Sequence, residues 1–244
     1  MRAMIFAAGL GTRLRPLTDR MPKALVPILG KPLLLWQIER LKDAGITRII
    51  VNVHHKADQI IQYLRDNRNF DCDIRISDER DCLLETGGGL RKALTAFPAD
   101  EPILALNADI LSTINLPRMI ASYSNDTVLL VVSERQTQRY LSFDQNLQLR
   151  GWINTATGQV RPQGQDLSDT RLLAFSGMQI LSPRIVGYLN QIPSDKFSLI
   201  DLYMYLVQQN ISVKAYLPAD YRMMDVGKIE QLTEVEQWAN EWLT

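Results

Sequence analysis

Residues 3–31 read Ala-Met-Ile-Phe-Ala-Ala-Gly-Leu-Gly-Thr-Arg-Leu-Arg-Pro-Leu-Thr-Asp-Arg-Met-Pro-Lys-Ala-Leu-Val-Pro-Ile-Leu-Gly-Lys. An apolar strand, Ala3 to Ala8, breaks into the turn Gly9-Leu10-Gly11-Thr12-Arg13, and a basic loop follows through Met21-Pro22-Lys23 to Pro27. Glycine lets backbone N–H groups approach an anion because no Cβ intervenes. Between Arg13 and Lys31 five basic residues (Arg13, Arg15, Arg20, Lys23, Lys31) face one acid, Asp19, a local charge of +4. The whole chain balances 27 basic against 27 acidic residues, so this excess marks a local anion site suited to a triphosphate.

Three common phosphate loops do not fit. A dinucleotide fingerprint places a third small residue before a helix and an acid at the end of the second strand. Here Leu14 stands in place of the third small residue and Pro16 follows, and the second strand ends in Asn52-Val53-His54 with no acid. A Walker loop requires Gly-Lys-Ser/Thr, but Gly30-Lys31 runs into Pro32. A kinase would carry His-Arg-Asp and Asp-Phe-Gly, and neither occurs.

Around that loop, strands and helices alternate. Strand Ala3–Ala7, helix Pro32–Ala44, strand Arg48–Val53, helix Ala57–Arg65, strand Asp73–Ser77, helix Gly89–Ala96 and strand Ile103–Asn107 are expected in turn. Four strands with helical crossovers predict an α/β fold, a Rossmann-like doubly wound, mostly parallel sheet. Further on, Thr127–Val132 and Leu173–Leu181 read as buried strands flanking a turn-rich polar stretch. Helices Leu199–Gln209 and Lys228–Trp242 then close the chain around a short strand near Val213.

The 244 residues, 46% hydrophobic and 22% charged, suit one globular domain. It is read as two halves, 1–115 and 116–244. Zero net charge argues against a general nucleic-acid binder, and no apolar run approaches the roughly 18 residues of a membrane span. Cys72 and Cys82 lack metal spacing and are expected reduced, in a cytoplasmic compartment where NTPs are available.

The pattern Gly-x-Gly-Thr-Arg-Leu-x-Pro-Leu-Thr followed by Pro-Lys-x-Leu-Val-Pro resembles the signature of the sugar-1-phosphate nucleotidyltransferases. Glu85-Thr86-Gly87-Gly88-Gly89, Leu106-Asn107-Ala108-Asp109-Ile110, Phe175-Ser176-Gly177 and Met224-Asp225-Val226-Gly227 follow in that family's order, so the resemblance spans essentially the whole chain. Within the family the chain looks most like the small N-acetylmuramate-1-phosphate uridylyltransferases. The resemblance implies the nucleotide-diphospho-sugar transferase fold and a reaction of NTP with sugar 1-phosphate, giving NDP-sugar and pyrophosphate. The resemblance makes 1–115 the nucleotide-binding half and 116–244 the sugar-phosphate-binding half, and the left-handed β-helix that larger members append is not expected here.

Such chemistry needs little acid–base machinery. A phosphate monoester is mostly dianionic at neutral pH, so it attacks without a general base. The obstacle is repulsion between that dianion and the triphosphate, which Arg, Lys and Mg²⁺ can neutralise. Arg13, directly after the glycine turn, is expected to grip the β- and γ-phosphates, and Lys23 to act as a point charge at the α-phosphate. Asp109, just past a strand's carboxyl end, and Asp225 are the expected Mg²⁺ ligands, since that ion takes one or two carboxylates plus phosphate oxygens. The resemblance gives all four positions these roles. Nucleotide contacts are expected at Ala8, Gly9, Gly11, Thr12, Glu85, Gly87, Gly88 and Asn107, with backbone near the glycine run reading the base.

Many relatives hold the sugar phosphate with a lysine in a central Glu-Lys-Pro, but no lysine occurs here between Lys92 and Lys196. Lys196, Arg139 and Arg150 are the substitutes considered, with Gly177 bringing backbone near the sugar. UTP is the favoured donor and a bulky or N-acetylated hexose 1-phosphate the favoured acceptor. The alternatives are GTP with a mannose- or heptose-like sugar, CTP with phosphocholine, or a silent nucleotide-binding subunit.

Overall fold

In the computed structural model, which describes all residues except 98, 99, 125 and 244, the alternation of the first half becomes a parallel sheet. Its elements are β1 (Arg2–Phe6), α1 (Leu33–Asp43), β2 (Arg48–Val53), α2 (Ala57–Asp66), β3 (Asp73–Asp78), α3 (Glu85–Ala93) and β4 (Ile103–Asn107). There follow β5 (Ile110–Ser112), α4 (Leu116–Ser122), β6 (Val128–Ser133), β7 (Arg139–Phe143), β8 (Leu149–Asn154), β9 (Gln159–Arg161) and the long β10 (Arg171–Leu181). The remainder is α5 (Ile185–Leu189), α6 (Leu199–Gln208), β11 (Val213–Tyr216), β12 (Met223–Asp225) and α7 (Leu232–Trp242).

Strand order is β9-β8-β7-β10-β4-β1-β2-β3, with β6 paired to β10 and β11 to β6. Strands β4, β1, β2 and β3 run parallel, while β10 lies antiparallel to β4. The sheet is therefore mixed around a parallel core.

Side-chain alternation along these strands divides the interior into two layers. Met4, Ile50 and Ala105 face the layer of α3, α5 and α6, packing with Leu90, Leu189 and Leu202. Ala3, Ile5, Ile49, Val51, Leu104 and Leu106 face the layer of α1, α2 and α4, with Ile38, Ile60 and Met119. Strands buried on both faces read as unbroken apolar runs, as these do. Helix α6 starts with a capping box in which the Ser198 and Asp201 side chains each satisfy the other's backbone N–H. A smaller third cluster joins Leu14, Val26, Ile28, Leu33, Trp36, Leu111 and Val226 to Val235 and Ala239 of α7.

Four expectations are corrected. The glycine run does not precede a helix: α3 begins at Glu85, so Gly87, Gly88 and Gly89 form its first turns. The polar stretch after β6 holds three antiparallel strands, β7 to β9, curled onto the end of β10. Gly177 lies inside β10, at an irregularity between Phe175 and Gln179, with φ +70° rather than in a turn between strands. The last helix starts at Leu232, after a short 3-10 turn at Ile229–Gln231.

Leu202 is fully buried where α6 meets the sheet. Leu202→Ala is expected to cost about 2–5 kcal/mol and to lower Tm by at least about 5 °C in a circular-dichroism melt. A shift under about 2 °C would show that the α6 layer contributes little to the core.

Candidate functional site

The carboxyl ends of the four parallel strands open into one cavity of about 370 Å³. After β1 it is lined by Ala8 and Gly9, at the end of β2 by Asn52, after β3 by Glu79 and Leu83, and after β4 by Asn107 and Asp109, with Glu85 and Thr86 of α3 along one wall. Open α/β sheets bind ligands at this edge because strand ends and helix starts leave a crevice of backbone donors there. Two roomier surface depressions, about 630 Å³ each, lie between β3 and α3 and between β9 and α6. The first touches only the end of β3 and the second none of the parallel strand ends, so the smaller cavity, where all four converge, is the candidate site.

The basic loop is folded onto the cavity floor. Gly11 has φ +64°, and a Cβ there would meet Thr18 Cγ2 at 2.7 Å and Lys23 Cβ at 3.0 Å. The Thr18 hydroxyl donates to Gly11 O at 2.8 Å and ties the turn shut. Thr12–Leu14 form a 3-10 turn that sends Leu14 into the third cluster and leaves Arg13 outside it. Lys23, almost fully buried, forms an ion pair with Asp109.

Asp225 arrives from the far end of the chain. β12 pairs antiparallel with β5, setting Asp225 opposite Ile110, and Val226 N donates to Asp109 O at 2.9 Å. The Arg13 guanidinium lies against the following turn, since a Cβ on Gly227 would meet its nitrogens at 3.4 Å and Asp225 Oδ1 at 3.2 Å. Arg13, Lys23, Asp109 and Asp225 are thereby gathered into one cluster. Partial enclosure pushes the Asp225 carboxyl up, and the neighbouring Asp109 charge adds to this, against the pull of Lys23, Arg13 and Arg135. Two neighbouring carboxylates of this kind fit a cation between them. No group of three or more metal-ligating side chains occurs among the described residues, and Mg²⁺, which draws its other ligands from phosphate and water, does not require one.

A buried polar network shapes the cavity's back wall. Asn52 accepts from Ala7 N at 2.7 Å and donates to Glu79 Oε1 at 2.7 Å, while Glu79 Oε2 accepts from Leu84 N at 3.1 Å. Glu79 and Asn52 escaped the sequence reading. Their signal was available: each is a polar residue at or just past the carboxyl end of a buried strand. Arg135, beyond β6, was also missed; it lies near Asp225 and its Nη2 donates to Phe175 O at 3.1 Å.

The glycine run serves packing more than recognition. Gly87 N and Gly88 N both donate to Phe197 O, at 2.9 and 3.2 Å, so neither amide is left to read a base. A Cβ on Gly87 would strike the Phe197 ring at 2.4 Å, and one on Gly88 would lie 2.2 Å from Asp195 O. Lys196 therefore sits on the segment clasped to α3, with an exposed side chain. Gly177 presses on β4: a Cβ there would meet Ile110 Cδ1 at 2.3 Å and Asn107 Nδ2 at 3.0 Å. Arg150 does not join the cluster. It pairs with Asp144 at 2.6 Å and lines a small depression with Asn210 and Ile211, past the carboxyl end of α6, whereas the amino end of α6 faces Thr86.

Comparison with known proteins gives the family. Residues 2–143 match the family described as nucleotidyl transferase, and the chain belongs to that family. It is 30% identical over 241 residues to a UTP–glucose-1-phosphate uridylyltransferase of Synechocystis, an alignment covering 94% of this chain and 61% of that protein. Two N-acetylmuramate α-1-phosphate uridylyltransferases also match. The Neisseria meningitidis protein is 44% identical over 115 residues, covering 47% of this chain and 49% of its own length. The Caulobacter vibrioides protein is 33% identical over 210 residues, covering 84% and 83%. The chain thus spans less than two thirds of the first two relatives. Among solved structures, HddC from Yersinia pseudotuberculosis superposes with a TM-score of 0.75 at 26% identity, covering 97% of this chain and 98% of that one.

Gly88→Ala tests the clasp between α3 and residues 195–197. Overpacking against a backbone oxygen is expected to cost roughly 1–3 kcal/mol, seen as a Tm loss of several degrees by differential scanning fluorimetry. An unchanged melt would mean that the contact yields freely.

Proposed function

We propose that this chain joins an NTP, with UTP preferred, to a sugar 1-phosphate, releasing pyrophosphate and an NDP-sugar. The observation that carries the reading is the meeting of Arg13, Lys23, Asp109 and Asp225 beneath the strand-end cavity. An oxygen of the sugar phosphate forms a bond to the α-phosphorus, and the bond from that phosphorus to the bridging oxygen of the β-phosphate breaks, its electron pair leaving with pyrophosphate. The acceptor is already ionised, so no proton need be removed and no protein nucleophile intervenes. Arg13 holds oxygens of the leaving pyrophosphate through a planar fork, while Lys23 offsets charge at the α-phosphate. Asp109 and Asp225 would hold Mg²⁺, which when bound supplies a cationic centre that lowers phosphate repulsion. Ala8, Gly9, Gly11 and Thr12 border the phosphates. Glu85 and Asn107 border the nucleoside, and Gly177 together with Lys196 marks the acceptor side. The requirement for NTP favours a cytoplasmic setting. No helix among the described residues is long and apolar enough to cross a membrane.

The preference for UTP is supported by the uridylyl transfer in the names of the relatives described above. Glu79, whose carboxylate lines the strand-end cavity with lone pairs beyond the two bonds it makes, suits the single N3–H donor of uracil. A matrix of NTPs against sugar 1-phosphates, scored by pyrophosphate release, tests the reading. UTP is expected to exceed GTP by roughly tenfold or more in kcat/KM, as a mispaired buried polar group costs about 1–3 kcal/mol. A GTP preference would replace the uridylyl assignment with a guanylyl one.

Asp225 separates function from stability. A carboxyl whose folded pKa is raised above its unfolded value disfavours the folded state while ionised, and that cost disappears as pH falls through the raised value. Metal-free Asp225→Asn should therefore melt at or above the wild-type temperature at neutral pH. Its kcat, and that of Asp109→Ala, should fall by at least about 10²-fold. Near-wild-type turnover of the Asp225 variant at saturating Mg²⁺ would remove that residue from the site.

A further inference from the structure

The reaction proposed above brings a second phosphate dianion to the α-phosphate, and that dianion needs a cation of its own. Arg13 and Lys23 both belong to the loop after β1. Strand order places β4, with Asn107 and Asp109 at its end, between β1 on one side and β10 on the other. The acceptor must therefore enter from the β10 side, since the β1 side is filled by the phosphate loop.

Arg135 stands on that side. β6 pairs with β10 through Val132 and Phe175, and the chain then turns so that the Arg135 guanidinium returns over β10 to donate to Phe175 O at 3.1 Å. Two residues along β10, Gly177 is pressed against Asn107 and Ile110, which flank Asp109 in sequence. Arg135 thus lies over the stretch of β10 that packs against the end of β4, next to Asp109 in sequence. Three arginines of this region are already committed, Arg150 to Asp144, Arg161 to Asp201 and Arg171 to Glu134, while Arg139 lies farther along, on β7. Arg135 forms no ion pair within 4.0 Å among the described residues, and the residue is exposed. One hydrogen bond to a neutral carbonyl orients the fork and leaves most of its five donors for a ligand.

We propose that Arg135 receives the phosphate group of the acceptor, holding the sugar phosphate on the β10 side of the Asp109–Asp225 pair. The proposal rests on the transferase reading. It assigns to a guanidinium from the segment between β6 and β7 the charge for which Lys196, Arg139 and Arg150 were the sequence candidates. A bidentate fork suits the task, because it fixes the orientation of the attacking oxygen as well as its charge.

The test uses Arg135→Ala and Arg135→Lys in the full chain. Arg135 is exposed and makes a single carbonyl contact, so both variants should retain the wild-type melt. With UTP, Mg²⁺ and the best acceptor of the substrate matrix, Arg135→Ala should raise the acceptor KM by about tenfold or more while the UTP KM stays within about twofold. Arg135→Lys should recover part of the loss. An unchanged acceptor KM, or an equal rise in the UTP KM, would overturn the assignment. Equilibrium titration of glucose 1-phosphate onto protein loaded with Mg²⁺ and a non-hydrolysable UTP analogue needs no turnover. If wild type binds and Arg135→Ala does not, the phosphate contact stands even where no pair in the matrix releases pyrophosphate. Equal binding to both, or binding to neither, overturns it.

Discussion

Two carboxylates, Asp109 and Asp225, stand side by side although more than a hundred residues separate them, and much of the surrounding architecture answers that repulsion. Hydrogen bonding between β5 and β12 holds them in register, with Val226 N on Asp109 O. Lys23 pairs with one, and Arg13 and Arg135 bear on the other. Cations and carboxylates are thus gathered side by side at the carboxyl edge of the sheet. Such arrangements disfavour the folded state locally, and packing elsewhere offsets the cost.

The third hydrophobic cluster supplies part of that offset where it is needed. Leu14 adjoins Arg13, Val226 adjoins Asp225, Leu111 lies two residues from Asp109, and all three pack together with Val235 and Ala239 of α7. One apolar contact set therefore fixes the backbone beneath three functional side chains from three distant segments. Buried apolar packing suits this role because it is rigid and indifferent to charge. The Asn52–Glu79 network does similar work at the nucleoside wall, where its hydrogen bonds hold the start of β1's loop, the end of β2 and the 79–84 loop in one arrangement.

Much of this was legible in the chain. Uninterrupted apolar runs such as Arg48–Val53 and Ile103–Asn107 matched the observed strands because burial on both faces leaves no other periodicity to read. The β1 loop, with its glycines and excess of cations, declared itself by composition. The reading went astray where the local signal was ambiguous. The glycine run was expected to precede most of its helix, yet α3 begins at Glu85, and Gly87 and Gly88 are accommodated inside it because Phe197 and the Asp195 carbonyl approach too closely for any Cβ. Polar residues 134–170 resembled loop because β7 to β9 form an edge of the sheet with one solvated face, which blurs the alternation.

By itself, the sequence determined the parallel core, the anion-binding turn and the residue types that a phosphate-transfer site requires, since these follow from local periodicity, backbone freedom and charge. Only the tertiary structure decided which of those charges share a cavity. It carried Asp225 back beside Asp109, left Arg150 with Asp144 past the far end of α6, tied the Gly87 and Gly88 amides to Phe197, and turned Arg135 toward the cluster. The reason is physical. Contact between residues far apart in sequence depends on strand order, register and packing, and no local property of the chain encodes where a side chain meets a neighbour a hundred positions away.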